Sequence, residues 1–307
     1  MRYYLFIVAC CYLYVACDTH QKTTQQQQEI AQQEITPLFS GEKAYEYVKQ
    51  QAAFGPRPTG SNANKKLRQW LTTQLQDNHW AVSRQQFQSP KNTVSENIIA
   101  TRGEGRTVLL GAHYDTRLIS DEDQDTTQRQ NPGIGANDGA SGVAVLLELA
   151  RILKPEELDL RICLAFFDAE DNGNIDGWQW ILGSSYYVEN PGFITDCDRP
   201  NAVVVVDMVG DRDLQIYRDF GATASLETAP WQQAKKLKIS AFQANYRYRI
   251  LDDHVPFLRQ GIPAAILIDF EYPYWHTTED TVDKVTASSL SQVGQVIEAW
   301  ITNGAQF

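Results

Sequence analysis

The chain has 307 residues, of which 43% are hydrophobic and 11% aromatic, so it carries enough apolar material for a globular core without a disulfide scaffold. The formal net charge of −11 at pH 7, with no basic stretch to offset it, argues against a nucleic-acid partner. The length suits one large α/β domain or two small ones and does not choose between them.

The N-terminus begins with one arginine and an apolar run that is too short to span a bilayer, which is typical of an export signal. The run ends at Val15-Ala16-Cys17, which is similar to a bacterial lipoprotein cleavage site with Cys17 as the lipidated residue. Tyr14 departs from the aliphatic residue usual there, and a plain cleaved signal or an uncleaved anchor are the alternatives. We expect residues 1–16 to be a signal peptide and the protein to be exported to a bacterial periplasm as a membrane-anchored lipoprotein.

Residues 18–37 are rich in glutamine and nearly free of large apolar side chains. Such a segment cannot bury enough surface to order itself, so it is predicted to be a flexible tether, with a ragged helix as the alternative. The folded catalytic domain is predicted to span residues 38–307.

Five cysteines are present, and three of them belong to the leader. Cys163 lies in a strand-like apolar run and is most simply a small buried hydrophobic residue. Cys197 lies in a polar loop, and the sequence leaves open whether the two pair. Neither has the spacing of a Cys-x-x-Cys or Cys-His zinc site, which argues against thiolate chemistry.

Helix-like and strand-like segments alternate through the domain. Apolar residues at three-to-four spacing predict helices over 41–54, 62–78, 139–153, 177–190, 228–238 and 288–302. Strands are predicted over 93–103, 106–115, 158–171, 201–210 and 262–270. Several strand-like runs are apolar throughout, which is typical of strands covered on both faces. The sequence therefore predicts a single α/β domain of three layers, with a twisted, mostly parallel central sheet between helices.

Polar residues follow these runs where the predicted strands end. They are His113, Asp138, Glu170-Asp171, Asp207, Asp252-Asp253-His254 and Trp275-His276. Taken singly, each has an ordinary explanation: an aspartate before glycine caps a helix, adjacent acids lie in a solvated loop, and a lone histidine is a surface or core residue. In open α/β sheets, however, the carboxyl ends of the strands form one crevice, so these side chains are expected to converge. One histidine and two carboxylates can hold a zinc ion and leave a coordination position open.

The motifs GAHYDTR, NDGASG, FFDAED, VVDMVG, DDHVPFL and WHTTEDT occur in that order. Their succession resembles the zinc-dependent aminopeptidase-like fold family, starting as early as Phe54–Ser61 and running almost to the C-terminus. The peptidase branch of that family binds two zinc ions about 4 Å apart. The resemblance implies that its ligands would be the counterparts of His113, Asp138, Asp171, Asp207 and His276. The cyclase branch, the animal-type glutaminyl cyclases, binds one zinc through the counterparts of Asp138, Asp171 and His276.

Two residues favour the cyclase branch. Asp252 matches an aspartate that, in the cyclases, hydrogen-bonds the residue matching Asp207, whereas the peptidases commonly have serine there. A carboxyl pair that shares a proton cannot also offer two full charges to a second metal. Trp275, directly before the ligand His276, matches an indole that walls the small pocket of the cyclases. One departure is Asp171, which stands where the animal cyclases have glutamate.

The resemblance therefore implies a zinc-dependent glutaminyl-peptide cyclotransferase with one zinc per chain. We expect the protein to be a monomer. Its substrates would be peptides or proteins with N-terminal glutamine. Glu170 would transfer the proton, and Asp207 and Asp252 would orient it or the leaving group. Trp275, together with Trp178 or Trp180, would line the substrate pocket.

Two other functions remain open from the sequence. A zinc-bound water in the same constellation would hydrolyse a peptide bond, as in a di-zinc aminopeptidase of the M28 type. A catalytically silent, lipid-anchored binding protein is the second alternative. Glu170 argues against it, because a mere binder has no use for a proton-transferring residue beside the presumed ligands.

Overall fold

A computed structural model of the chain describes residues 37–193 and 196–307. Leu38–Phe307 form one compact unit within it. The predictions for residues 1–16, for Cys17 and for nearly all of the glutamine-rich segment fall outside the described residues. In the part of the chain that is described, no helix has the length and apolar character needed to cross a bilayer.

Helices and strands alternate along this unit. The helices are α1 (Gly41–Ala52), α2 (Asn62–Asp77), α3 (Ala140–Ile152), α4 (Leu182–Glu189), α5 (Ala224–Lys236), α6 (Val255–Arg259) and α7 (Ala287–Thr302). The strands are β1 (Ala81–Ser89), β2 (Thr93–Gly103), β3 (Arg106–His113), β4 (Leu160–Phe167), β5 (Ala202–Asp207), β6 (Ile216–Asp219), β7 (Phe242–Tyr248) and β8 (Ala264–Ile268). Three 3-10 turns lie at Pro90–Asn92, Pro155–Glu157 and Val282–Lys284.

The central sheet has the strand order β1-β2-β4-β3-β5-β8. Strands β4, β3, β5 and β8 are parallel, and an antiparallel β1-β2 hairpin completes one edge. The mostly parallel sheet predicted from the apolar runs is thereby confirmed. The chain passes from β3 to β4 on one side and then to β5 on the other, so the order reverses around β3. Such a reversal opens a crevice at the carboxyl ends of the strands.

Helices cover both faces of the sheet, which explains why its strands are apolar throughout. In β5, Val204 and Val206 join the core cluster that contains residues of α1, α3 and α7, whereas Val203 and Val205 join a second cluster with residues of α4 and α6. Successive side chains of a strand point to opposite faces, so both sets must be apolar when both faces are covered.

Three strands are not predicted from the sequence. β1 and β7 have many exposed, polar positions, and β6 is only four residues long. β6 and β7 pair with each other in a separate two-stranded sheet. Edge and satellite strands of this kind have no continuous apolar run, which is the signal that identifies the central strands. The helix predicted from residue 177 starts only at Leu182, and the residues before it form turns.

Cys163 and Cys197 form a disulfide, with their Cα atoms 6.1 Å apart. This answers the question that the sequence left open. The bridge joins β4 to the loop that precedes β5, and both cysteines are fully buried.

Candidate metal centre

The carboxyl ends of three neighbouring strands bring the predicted site residues together. His113 is the last residue of β3 and Asp207 the last residue of β5, while Glu170 and Asp171 follow β4. Asp138 directly precedes the glycine that caps α3. That glycine, Gly139, has a φ of 89°, and a Cβ there would lie 2.8 Å from the Asp115 carbonyl oxygen. The turn therefore requires glycine to bring Asp138 against β3.

Two groups of side chains have metal-binding geometry, and they share Asp138. The His276 group consists of Asp138, Asp171 and His276, and the His113 group of His113, Asp138 and Asp207. In each group, one ligand atom per residue lies within 4.8 Å of the others. His276 Nε2 is 2.8 Å from Asp171 Oδ1, and His113 Nε2 is 3.1 Å from both Asp138 Oδ1 and Asp207 Oδ1. The three predicted zinc ligands are thus adjacent.

The donor set fits a zinc ion. All five side chains are buried, and three carboxylates face two imidazoles, so a bound cation would offset the excess of buried negative charge. Imidazole nitrogen and carboxylate oxygen are ligands that zinc takes in catalytic sites. The His276 group supplies three protein ligands, which is the number found when a catalytic zinc keeps a position open.

The crowding of charges shifts the pKa values of these groups. Burial raises the pKa of Asp171 to about 6, and repulsion by Asp138 adds to the increase. For His113, burial lowers the pKa, but attraction to Asp207 and hydrogen bonding to the neighbouring aspartates raise it well above its ordinary value. Without a cation, therefore, Asp171 and His113 take up protons more readily than usual, which offsets part of the negative charge of the site.

Two buried aspartates hold the backbone of the presumed ligands. Asp115 accepts hydrogen bonds from the backbone N–H groups of Glu170, at 3.1 Å, and Asp171, at 3.4 Å. Asp280 accepts one from the Asp138 N–H at 3.0 Å and another from the Tyr272 hydroxyl at 2.7 Å. Sequence reasoning assigned no role to either, although both stand inside the motifs GAHYDTR and WHTTEDT. Their positions two and four residues after His113 and His276 are the only signal in the sequence for such a role.

Two indole rings stack on His276. The ring centroids of Trp275 and Trp180 lie 3.7 Å and 5.8 Å from that of His276, and both rings stack on it. Asp121 Oδ1 is 3.7 Å from His276 Nδ1, the nitrogen opposite the one near Asp171. Arg117 holds Asp121 through two hydrogen bonds of 2.7 Å and 2.6 Å. The imidazole is thus oriented by groups that lie outside the metal-binding set.

The backbone is left-handed at three positions in the site. Ala169, Met208 and His276 have φ values of 59°, 45° and 54°, which are uncommon for residues other than glycine. Ala169 precedes Glu170 and Met208 follows Asp207. Such conformations cluster at functional sites, where the surrounding structure maintains them because they aim particular side chains.

A cavity of about 230 Å³ opens beside the His276 group. Its lining includes the predicted residues Glu170, Asp207, Asp252 and Trp275, and also Trp180. The structure does not bring Trp178 to this cavity. Its side chain is only 5% exposed and packs with Phe87 and Ala169. The segment carrying the two tryptophans is a series of turns, which lacks the periodicity that would show which of them faces the crevice.

Two acids of the cavity, Glu170 and Asp252, are shifted toward their neutral forms. Burial raises the pKa of Glu170 well above its ordinary value, against the attraction of His113 and with further increases from Asp171 and Asp252. Burial also raises the pKa of Asp252, and the charge of Asp207 raises it further. The charge of one of these two carboxyls, Asp207, therefore acts on the other, Asp252.

Residues 97–301 match peptidase family M28. The chain belongs to this family. Among curated proteins, a relative is the glutaminyl-peptide cyclotransferase of Drosophila melanogaster, which is 26% identical over 284 residues that cover 78% of this chain and 75% of the relative.

Two solved structures from Bacteroides thetaiotaomicron resemble the protein over 87% of its length. A glutaminyl cyclase bound to N-acetylhistamine is 31% identical, with a TM-score of 0.80 and 99% of that chain covered. A leucine aminopeptidase precursor is 30% identical, with a TM-score of 0.81 and 98% of that chain covered. The fold is thus the one shared by zinc aminopeptidases and glutaminyl cyclases. Because both activities occur among its neighbours, the choice between them rests on the site.

Proposed function

We propose that this protein is a glutaminyl-peptide cyclotransferase, which converts the N-terminal glutamine of peptides or proteins to pyroglutamate and releases ammonia. The observation that carries the proposal is the joint placement of Asp252 and Trp275 in the cavity beside the His276 group. These two residues carry the resemblance to the cyclase branch, and the presumed ligands alone are common to both branches. The cyclotransferase and cyclase relatives support the same choice.

Asp138, Asp171 and His276 would hold one zinc ion per chain. When bound, zinc supplies Lewis-acid polarisation of the substrate γ-carbonyl. The His113 group lies beside two further acids, Asp115 and Asp252, and the pKa of Asp252 is raised by the charge of Asp207. A carboxyl pair that shares one proton is a poorer set of ligands for a second cation, which favours a count of one.

Glu170 carries the proton in this reaction. The α-amine nitrogen of the substrate forms a bond to the γ-carbonyl carbon, and the bond from that carbon to the side-chain nitrogen breaks. Glu170 accepts a proton from the attacking amine and returns it to the departing nitrogen, which leaves as ammonia. Burial raises the pKa of Glu170, which makes its carboxylate a stronger base toward the amine than the carboxylate of an exposed glutamate.

The aromatic side chains that line the cavity favour cyclisation over hydrolysis. Trp275 and Trp180 stack on the imidazole of His276 and line the cavity that the glutamine side chain would occupy. Large apolar surfaces displace water from the reacting carbon, so the internal amine is the nucleophile that remains close to it.

A di-zinc aminopeptidase is the second candidate. The geometry of the His113 group favours it, since this group could hold a further cation. The family and the aminopeptidase neighbour are compatible with it too.

Product analysis on the purified, zinc-loaded protein distinguishes the two. A peptide beginning with glutamine should yield the pyroglutamyl peptide and ammonia, and a leucyl peptide should not be cleaved. Glu170→Gln should reduce turnover by about a hundredfold or more while zinc content stays unchanged. Release of free amino acids by a protein with two functional zinc ions would refute the cyclase proposal. Unchanged turnover in Glu170→Gln would refute the role of that residue.

We further propose that the protein is an exported, lipid-anchored monomer that acts on N-terminal glutamine exposed after signal removal. The leader sequence ending in Cys17 supports the export and the anchor. In cells fed a labelled fatty acid, label should enter the wild-type protein and not Cys17→Ser. Label in both forms, or in neither, would contradict the anchor.

A further inference from the structure

The outer part of the cavity carries a single basic side chain. Of the cavity's lining residues in the described ranges, five are carboxylic acids and one, Arg249, is an arginine or lysine. Arg249 directly follows Tyr248, the last residue of β7, and is exposed to solvent. The acids that line the same cavity lie at the carboxyl ends of the central strands, at the presumed metal site. The cavity therefore has an acidic interior and a positive charge at its exposed side.

Arg249 has no partner in the part of the chain that the structure describes. Its neighbour Arg247, by contrast, forms an ion pair with Glu271 at 2.6 Å and lies 4.7 Å from the ring centroid of Tyr217. Arg218 donates a hydrogen bond to Thr228 and stacks over aromatic rings. The two arginines near Arg249 in this satellite sheet are thus engaged within the protein, whereas its own guanidinium is available to a ligand.

Apolar side chains flank Arg249 at the cavity rim. Leu251 is 52% exposed and Phe270 is 40% exposed, and both line the same cavity. When the first residue of a peptide occupies the interior of the cavity, the rest of the peptide chain must pass over this rim. The residues that follow its glutamine would then meet an apolar surface and one free guanidinium.

We propose that Arg249 binds the carboxylate of an acidic side chain at the second or third position of the substrate, so that glutaminyl peptides with Asp or Glu there are preferred. The inference rests on the proposed cyclotransferase function and adds a substrate class to it. The guanidinium presents a planar set of donors that matches a carboxylate in two hydrogen bonds. Because Arg249 is exposed, the pair is screened by water and salt, and its effect is modest.

The test compares glutaminyl peptides of equal length that differ only in having Glu, Gln or Lys at position two, and a second set that differs at position three. Cyclisation is followed by ammonia release, and kcat/KM is measured for each peptide. In the wild-type protein, Glu at one of these positions should be favoured over Gln by roughly three- to fivefold, with Lys below Gln. The preference should shrink as NaCl is raised.

Arg249→Gln should bring the Glu-to-Gln ratio of kcat/KM to about one, and Arg249→Lys should retain part of it. Arg247→Gln is the matched control, because Arg247 is already paired with Glu271 and is not among the residues that line the cavity. This control should keep the wild-type preference.

Equal rates for all peptides in the wild type would overturn the inference, as would a Glu preference that survives in Arg249→Gln. Both outcomes leave the cyclotransferase function standing. If no glutaminyl peptide of either set is cyclised by the zinc-loaded wild type, it is the proposed function that fails.

Discussion

The two metal-binding groups share Asp138 and have nearly the same donor types, but their surroundings differ. The His113 group is surrounded by further carboxyl groups, including Asp115 and Asp252. In the His276 group, the rings of Trp180 and Trp275 stack on His276. We therefore expect the groups around the donors, rather than the donors themselves, to decide which reaction this site catalyses. Substitutions in each group test whether this difference in surroundings matters.

Replacing the two histidines should have the most unequal effects. His276→Ala should remove the bound zinc and reduce cyclisation by more than a hundredfold, because a ligand matters more than the outer groups whose loss costs about 10- to 100-fold. His113→Ala should retain one zinc per chain. Elemental analysis after dialysis gives the metal count, and thermal unfolding shows whether each variant is folded. If the folded His113→Ala variant contains no zinc, the zinc ion binds in the His113 group and our assignment to the His276 group is wrong.

Asp252→Ser should make the His113 group more like that of a peptidase. Without the Asp252 carboxyl beside Asp207, a second zinc ion should bind at saturating zinc. The rate of cyclisation should fall by about tenfold or more. Asp252→Asn is the control, since its amide fills the same space and carries hydrogen-bond donors that can face Asp207. We expect that variant to keep one zinc. A single zinc in both variants would show that Asp252 does not determine the metal count.

Asp121→Asn should have the smallest effect, on the His276 side. Asp121 faces the Nδ1 atom of His276, so loss of its charge should weaken zinc binding by about tenfold with little change in turnover at saturating zinc. Competition with a chelator measures the affinity. Asp125→Asn is a control from the same acidic loop, because Asp125 accepts hydrogen bonds from Thr127 and not from the site. Equal affinities in both variants would remove Asp121 from the set of orienting residues.

The sequence predicts the parts of this molecule that depend on periodicity and on strand ends. Continuous apolar runs such as those of β3 and β5 predict a covered parallel sheet, and the topology of such sheets predicts that Asp138, Asp171 and His276 converge. The polar strands β1 and β7 have no such pattern and are missed. Side-chain direction in a turn is not encoded periodically, so Trp178 and Trp180 could not be separated. The long-range hydrogen bonds of Asp115 and Asp280 likewise depend on tertiary contacts that no local pattern records.

The disulfide restrains the chain segment between Cys163 and Cys197, which contributes residues to the candidate site. Cys163 and Cys197 are separated by 34 residues in sequence, and that covalent ring contains Glu170, Asp171 and Trp180. Closing a ring of this length restricts the unfolded chain by about 4 kcal/mol in the loop-entropy model. The bridge suits the oxidising compartment that the predicted export implies. Protein produced in a reducing cytosol would lack this restraint, so Glu170, Asp171 and Trp180 would lie on an open chain segment rather than in a closed ring.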